Sequence, residues 1–282
     1  MTTRVVANNK APVKSTLAPV LPAHLQGGKT TRIGNIDQSD LVIPRVKLLQ
    51  AVSPEVTQYD GAKPGMFWNS IAGESMGDEL AFIPILLRKT YMLWSPRGDS
   101  RGILARANDG IHWDNADQEF EVKPKKSPKP VKWRIGKNVS DFNMDQFGSS
   151  VPDDPASAPA ASLTYNLIMF FPDYPELSPA MVINTRSAVK PARNLISKIE
   201  MKPVEHFGQR YIMRPMVQKS ADGDFFNYDY ISDGFVEDPI LYERCKELFE
   251  AMDKRTLRAS DESEEHTAPF DNDAAPKGPR KF

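Results

Sequence analysis

The strongest chemical pattern in this sequence is a group of seven cations around one indole. The stretch KPKKSPKPVKWRIGK, residues 123–137, carries Lys123, Lys125, Lys126, Lys129, Lys132, Arg134 and Lys137 about Trp133, with no acid between Glu121 and Asp141. Cations that follow phosphates, together with rings on which bases stack, are what an unpaired nucleic-acid strand requires, each stacked base contributing about 1 to 3 kcal/mol. The plain alternative is a solvated Lys-Pro loop that keeps the chain soluble. Trp133 is expected at the surface, because nothing beside it in sequence is apolar enough to make it an obvious core residue. Phe226, Tyr228 and Tyr230 alternate along one face of a predicted strand and offer further stacking rings, as do Trp113 and Trp94, the latter with Arg97 and Arg101 near it.

Other motifs fail on context. Residues 23–30, AHLQGGKT, satisfy a permissive phosphate-binding loop, but Pro19 and Pro22 precede them inside a polar arm, where a buried strand is needed to aim the loop's amides at phosphate. Pro172-Asp173 with Glu200-Met201-Lys202 resembles the paired elements of metal-dependent nucleases, whose carboxylates hold a divalent cation beside a lysine. That chemistry needs Glu200 and Lys202 on a strand next to Asp173, whereas apolar periodicity puts them at the end of a helix as two surface charges. His24, His112, His206 and His266 are scattered without an H-x-x-x-H pair or a Cys-His cluster, so neither metal nor cofactor is expected. Cys245 lies between Arg244 and Lys246 with no histidine partner and reads as a packed side chain. The chain is therefore read as a non-enzyme.

Composition narrows the class. With 282 residues, 40% hydrophobic and 26% charged, the chain has enough apolar material for a core, and its 24 prolines predict long irregular segments. One cysteine excludes an internal disulfide and multi-cysteine zinc ribbons. No run approaches the roughly 18 apolar residues of a membrane span, and no signal peptide is evident, so the expected setting is the cytoplasm, with no membrane partner. The net charge of −1 averages over segregated blocks. Residues 1–36 hold no acid but include Arg4, Lys10, Lys14, Lys29 and Arg32, which predicts a basic disordered arm over residues 1–39. Residues 260–282 are expected to be an acidic disordered tail, with Asp261, Glu262, Glu264, Glu265, Asp271 and Asp273 and no cation among residues 261–273. Such a tail is expected to regulate access to a polyanion site.

The elements that must position the cationic loop (residues 121–137) fall within an ordered body of residues 40–259. Residues 41–53 are its first apolar segment. A short strand over residues 64–71 is predicted to pair with a long one over residues 79–94 that Pro84 interrupts, and residues 103–114 add a weaker strand or hairpin. Residues 138–162, rich in Pro, Ala and Ser, read as a linker or surface loop. A hairpin of residues 162–171 and 179–186 comes next, then a helix over residues 187–201 with Ser187 as N-cap and Lys190, Arg193 and Lys198 on its outer face. A second hairpin joins residues 209–218 to 225–236, and a final helix over residues 238–259 starts at Asp238-Pro239 with Ile240, Leu241, Leu248, Phe249 and Met252 buried. The order predicts a mainly β, antiparallel α+β fold, an OB-like barrel with one helix between strands 3 and 4 and a C-terminal helix.

The segments KPGMFWNSIAGE, ELAFIPILLRKTYMLWSP, NTRSAVKPARNLISKI and RYIMRPMVQKSADGDFFNYDY resemble a group of tailed-phage proteins associated with replication genes, some of them single-stranded DNA-binding proteins. The resemblance spans residues 41–258. It implies an oligonucleotide-binding barrel, sequence-independent binding of single-stranded DNA in replication or recombination, and an acidic tail that recruits partner proteins. The terminus departs from that pattern, since Lys277, Arg280 and Lys281 precede Phe282 where acids are expected. Two rivals remain at this point, a metal-dependent nuclease and a virion or host-inhibitory interaction protein. A homo-oligomer is compatible with each.

Overall fold

Apolar runs set between Gly and Pro turns dominate the chain after residue 42, and in the computed structural model they become strands. The structure describes residues 43–95, 101–123, 129–151, 154–220 and 223–253. In chain order the elements are β1 (Val46–Leu48), a short helix α1 (Pro54–Gln58), β2 (Phe67–Asn69), β3 (Glu74–Gly77), the long β4 (Leu80–Trp94), β5 (Ile103–Ala107), β6 (Glu119–Val122), β7 (Val131–Arg134), β8 (Ala161–Phe170), β9 (Ala180–Thr185), α2 (Val189–Glu200), β10 (Gln209–Ser220), β11 (Gly223–Phe235) and α3 (Pro239–Asp253). The mainly antiparallel β expectation holds. The main sheet runs β11-β10-β4-β8-β9, with β5 also on β4, while β1-β2-β3 and β6-β7 form smaller sheets.

β4 organises the molecule because it has different neighbours along its length. Leu80 to Phe82 pair with β10, Ile83 to Leu93 with β8, and Tyr91 to Trp94 with β5. Pro84 does not interrupt it. The register shifts between Pro84 and Leu86, a bulge that absorbs a residue unable to donate to the ladder and moves alternate side chains to the other face. Leu80 and Phe82 enter one core and, by ordinary alternation, Ile83 and Ile85 a second on the opposite face, which Leu86 joins because of the bulge, while Tyr91 and Leu93 enter a third. His206 Nε2 donates to the carbonyl of Ile85 within the bulge at 2.8 Å.

The first core lies between β8, β9, β10, β11 and the three-stranded sheet, closed beneath by Leu195 and Ile199 of α2 and by Ala188 just before it. The second is the outer face of β4, β8 and β9, which α3 covers with Cys245 and Met252 and, partly buried, Leu241, Tyr242, Leu248 and Phe249. Each fully buried side chain of this size stabilises by about 1.5 to 3 kcal/mol. Arg88 of β4 caps the far end of α3, donating from one guanidinium nitrogen to the carbonyls of Met252 at 3.0 Å and Asp253 at 2.7 Å.

Among the described residues the sheets do not close into a barrel. The edges, β9 and β11, are each met by the β1 segment. Arg45 makes a parallel bridge to Met181 of β9, and the Gln50 side chain bonds to the main chain of Phe226 in β11. Other expectations need correction. Phe67–Asn69 pairs with β1 and β3 and not with β4. Ser187 is not an N-cap, because a 3-10 turn, Arg186–Ala188, leads into α2 and no side chain caps it. Asp238 does cap α3, its Oδ1 accepting from the Ile240 N–H at 2.9 Å, but this leaves Ile240 pointing outward, 81% exposed.

Candidate nucleic-acid interface

Strand alternation decides which part of the cationic stretch faces water. In the β6-β7 ribbon, Glu119 lies opposite Arg134, Phe120 opposite Trp133, Glu121 opposite Lys132 and Val122 opposite Val131. Lys132 and Arg134 are exposed on one face; Trp133 is on the other, only 4% exposed. The expectation of a surface indole is thereby corrected. Trp133 packs with Trp113, Leu93, Leu104, Val122, Ile135 and Met144, a core that the insertion between β4 and β8 builds against the end of β4. Its apolar neighbours come from segments distant in sequence, so nothing next to Trp133 announced them.

The cations are also less isolated than the sequence suggests. Glu119 and Glu121 sit across the ribbon from Arg134 and Lys132, pairs worth about 0.2 to 1 kcal/mol each. Lys123, Lys129 and Lys137 are exposed. Lys125 and Lys126 lie outside the described residues, as do Arg97 and the acidic residues Asp261, Glu262, Glu264, Glu265, Asp271 and Asp273.

The aromatic face of β11 is internal. Tyr228 and Tyr230 are buried in the first core, their rings stacked with centroids 5.8 Å apart. Tyr230 donates its hydroxyl to Asn184 Oδ1 at 2.9 Å, and burial pushes that hydroxyl's pKa well above its ordinary value. Phe226 is partly buried against Gly65, where a Cβ would come within 2.9 Å of the ring. These rings are correctly read as sharing one face, but the face turns toward α2 and the β1 segment and offers no surface for a base.

On α2 the cations point outward as the helical spacing requires. Lys190 is exposed, Arg193 donates from Nε to the Tyr165 hydroxyl at 3.4 Å, and Lys198 donates from Nζ to the Tyr230 carbonyl. Lys202, just beyond, lies over the rings of Tyr211 at 4.4 Å and Phe235 at 5.3 Å and donates to Ser232 Oγ at 2.7 Å; burial lowers its pKa. Glu200 is exposed at the end of α2, not on a strand, and Asp173 is exposed in the turn after β8. Among the described residues no three His, Cys, Asp or Glu side chains are grouped to hold a metal.

Two aromatic rings of the insertion that carries the cationic ribbon do face water and were missed. Residues 138–162, read as a linker, contribute Val139, Met144, Ala160 and Ala161 to the insertion's core and present Phe142 and Phe147 outward, 54% and 75% exposed. Phe142 has φ 56° and ψ 16°, and Asn143 follows at φ 52°. A bulky residue in the left-handed region costs about 1 to 3 kcal/mol and persists only where its surroundings enforce it. Here they do. Asp141 Oδ2 accepts from the Asn138 N–H at 2.8 Å, a bond that leads the causes holding its pKa below the usual carboxylate range, and Gly136 leaves room that any Cβ would deny, only 2.2 Å from Asp141 Cβ. Met144 is anchored inside by accepting from the Ala161 N–H at 2.9 Å. The Arg134 guanidinium lies over the Phe142 ring at 5.3 Å, a contact worth about 0.5 to 1 kcal/mol at an exposed site. The available signal was Phe142 and Phe147, each isolated between polar or small residues in the proline-free first half of this segment, residues 138–149.

No helix among the described residues is long and apolar enough to cross a membrane. Neither a curated protein nor a solved structure matches the chain. A family model does, the one described as Pam3 phage gp34-like protein, over residues 13–258. That match covers most of the 282 residues, and the chain belongs to this family of bacteriophage proteins.

Proposed function

We propose that the chain binds single-stranded DNA without sequence preference, in phage replication or recombination, on an OB-like scaffold. The observation that carries this reading is connectivity. Taking the long strands β4, β8, β9, β10 and β11 as first to fifth, the first three form a meander, the first also pairs with the fourth, the fourth and fifth form a hairpin, and α2 joins the third to the fourth. An OB-fold is a partly open five-stranded Greek-key barrel that takes up oligonucleotides partly through the loop between its first two strands. That connection is where this chain places β7 and its exposed cations, Lys129, Lys132, Arg134 and Lys137. The outer face of β8 and β9, which such barrels also use, is apolar and occupied by α3, so contact shifts to the insertion and to Lys190, Arg193 and Lys198. On this reading the acidic residues 261–273 compete with DNA for the same cations.

The test is anisotropy titration of the full chain with labelled oligo-dT across a salt series. The expected result is binding that weakens linearly in log–log form, with a slope reduced by charge reversal at Lys132 and Lys190. Absence of binding at low salt rejects the reading. A second reading, a protein-interaction factor, is favoured by the exposed Met201, Val204 and Phe235 around the end of α2. Retention of the phage or host partner on the wild-type chain but not on Met201→Ser supports it.

A further inference from the structure

The exposed ring of Phe142 is not accounted for by the stability of the fold. It is held outward by a left-handed backbone, more than half of it stays exposed, and a guanidinium that is itself at the surface lies over its ring. Strain that surrounding structure maintains at an exposed aromatic points to a ligand that stacks. The charge nearby limits what that ligand is. Arg134 and Lys132 lie opposite Glu119 and Glu121, so phosphate attraction alone is weakened there and a bound strand gains from a contact to the planar face of a base as well. Bases within a duplex are already stacked on one another and do not present that face. An unpaired base does.

We propose that Phe142, with Arg134 against its ring, is a stacking platform for an unpaired base, and that Lys132 and Lys137 meet the flanking phosphates. This rests on the single-strand-binding reading above and assigns it a site. Asp141 acts as the positioning residue, since its bond to the Asn138 N–H fixes the turn that turns Phe142 outward. Trp133, directly before Arg134 and buried, anchors the strand from the other side.

The experiment compares the wild-type chain with Phe142→Gly and Phe142→Trp in oligo-dT titrations at one salt concentration, alongside thermal unfolding. Glycine accepts a φ of 56° without strain, so Phe142→Gly is expected to unfold at the same temperature or higher while losing about 5- to 150-fold in affinity. Phe142→Trp is expected to bind within about two-fold of wild type and to show quenching of its added fluorescence on binding. If the wild type binds and Phe142→Gly matches it within two-fold, the platform is wrong and the single-strand reading stands. If the wild type binds no oligonucleotide, both fall.

Discussion

The side-chain amide of Gln50 pairs with the main chain of Phe226 as a strand residue would, Nε2 donating to the Phe226 carbonyl at 2.9 Å and Oε1 accepting from its N–H at 2.8 Å. The two residues are 176 apart in sequence, and the pair ties the segment after β1 to the free edge of β11. Truncation leaves a donor and an acceptor of β11 without partners in a half-buried setting. Gln50→Ala is expected to destabilise by about 1 to 3 kcal/mol, read as a lower urea midpoint with an unchanged slope. A change below about 0.3 kcal/mol would show that water replaces the amide at no cost.

Trp133 separates a structural role from a binding one. Removing a side chain of this size from a packed core costs about 3 to 5 kcal/mol, so Trp133→Ala is expected to unfold the insertion or lower the transition markedly. Trp133→Phe keeps most of the packing and is expected to leave oligo-dT affinity within about two-fold, on the same accounting for stacked bases. A large affinity loss in a stably folded Trp133→Phe chain would restore the indole as a contact.

Cys245 reports on α3. Burial pushes its thiol up to about 11, against the opposing pull of Arg244. Little thiolate is then present at pH 8, and a disulfide reagent is expected to label the native chain only as fast as α3 opens. Arg88→Ala removes two bonds from the end of that helix and is expected to speed labelling about ten-fold, in line with charged hydrogen bonds of about 1.5 kcal/mol or more. Rapid labelling of the wild type would mean that the helix is not seated as described.

Asp109 sets a boundary in acid. Slight burial works to raise its pKa, but hydrogen bonds from the His112 and Ile111 main chain and the His112 ring, 2.6 Å away, outweigh it and hold the carboxyl at about 2. The folded value lies below the ordinary aspartate value of 3.8, so the carboxylate stabilises the turn above that pH, and the contribution is lost as pH falls from there through about 2. Because both side chains are exposed, the effect on global stability is small. The expected observation is a carboxyl NMR titration with its midpoint near 2; a midpoint near 4 would contradict the hydrogen-bonded turn.

Patterns carried by neighbours were legible in the sequence, and patterns made by distant contacts were not. The periodicity of Ala192, Leu195 and Ile199 located α2 and its outward cations, and the Asp238-Pro239 start of α3 was readable from capping chemistry. Lys132 and Arg134 were read as lying in an acid-free field because Glu121 and Glu119 come opposite only through the ribbon's register. Trp133 and Tyr230 were assigned to the surface because their apolar neighbours, such as Leu93 and Phe82, lie far off in sequence. Phe142 was passed over because composition weighs residues without regard to φ.

β4 spans three cores, and its far end, Tyr91 and Leu93, feeds the one that the insertion builds. The insertion is therefore not a removable appendage. Replacing residues 96–160 by a short turn would leave Tyr91 and Leu93 wet on a strand whose other half supports the main sheet, so an exchange of this module between related phages must carry the matching end of β4 with it.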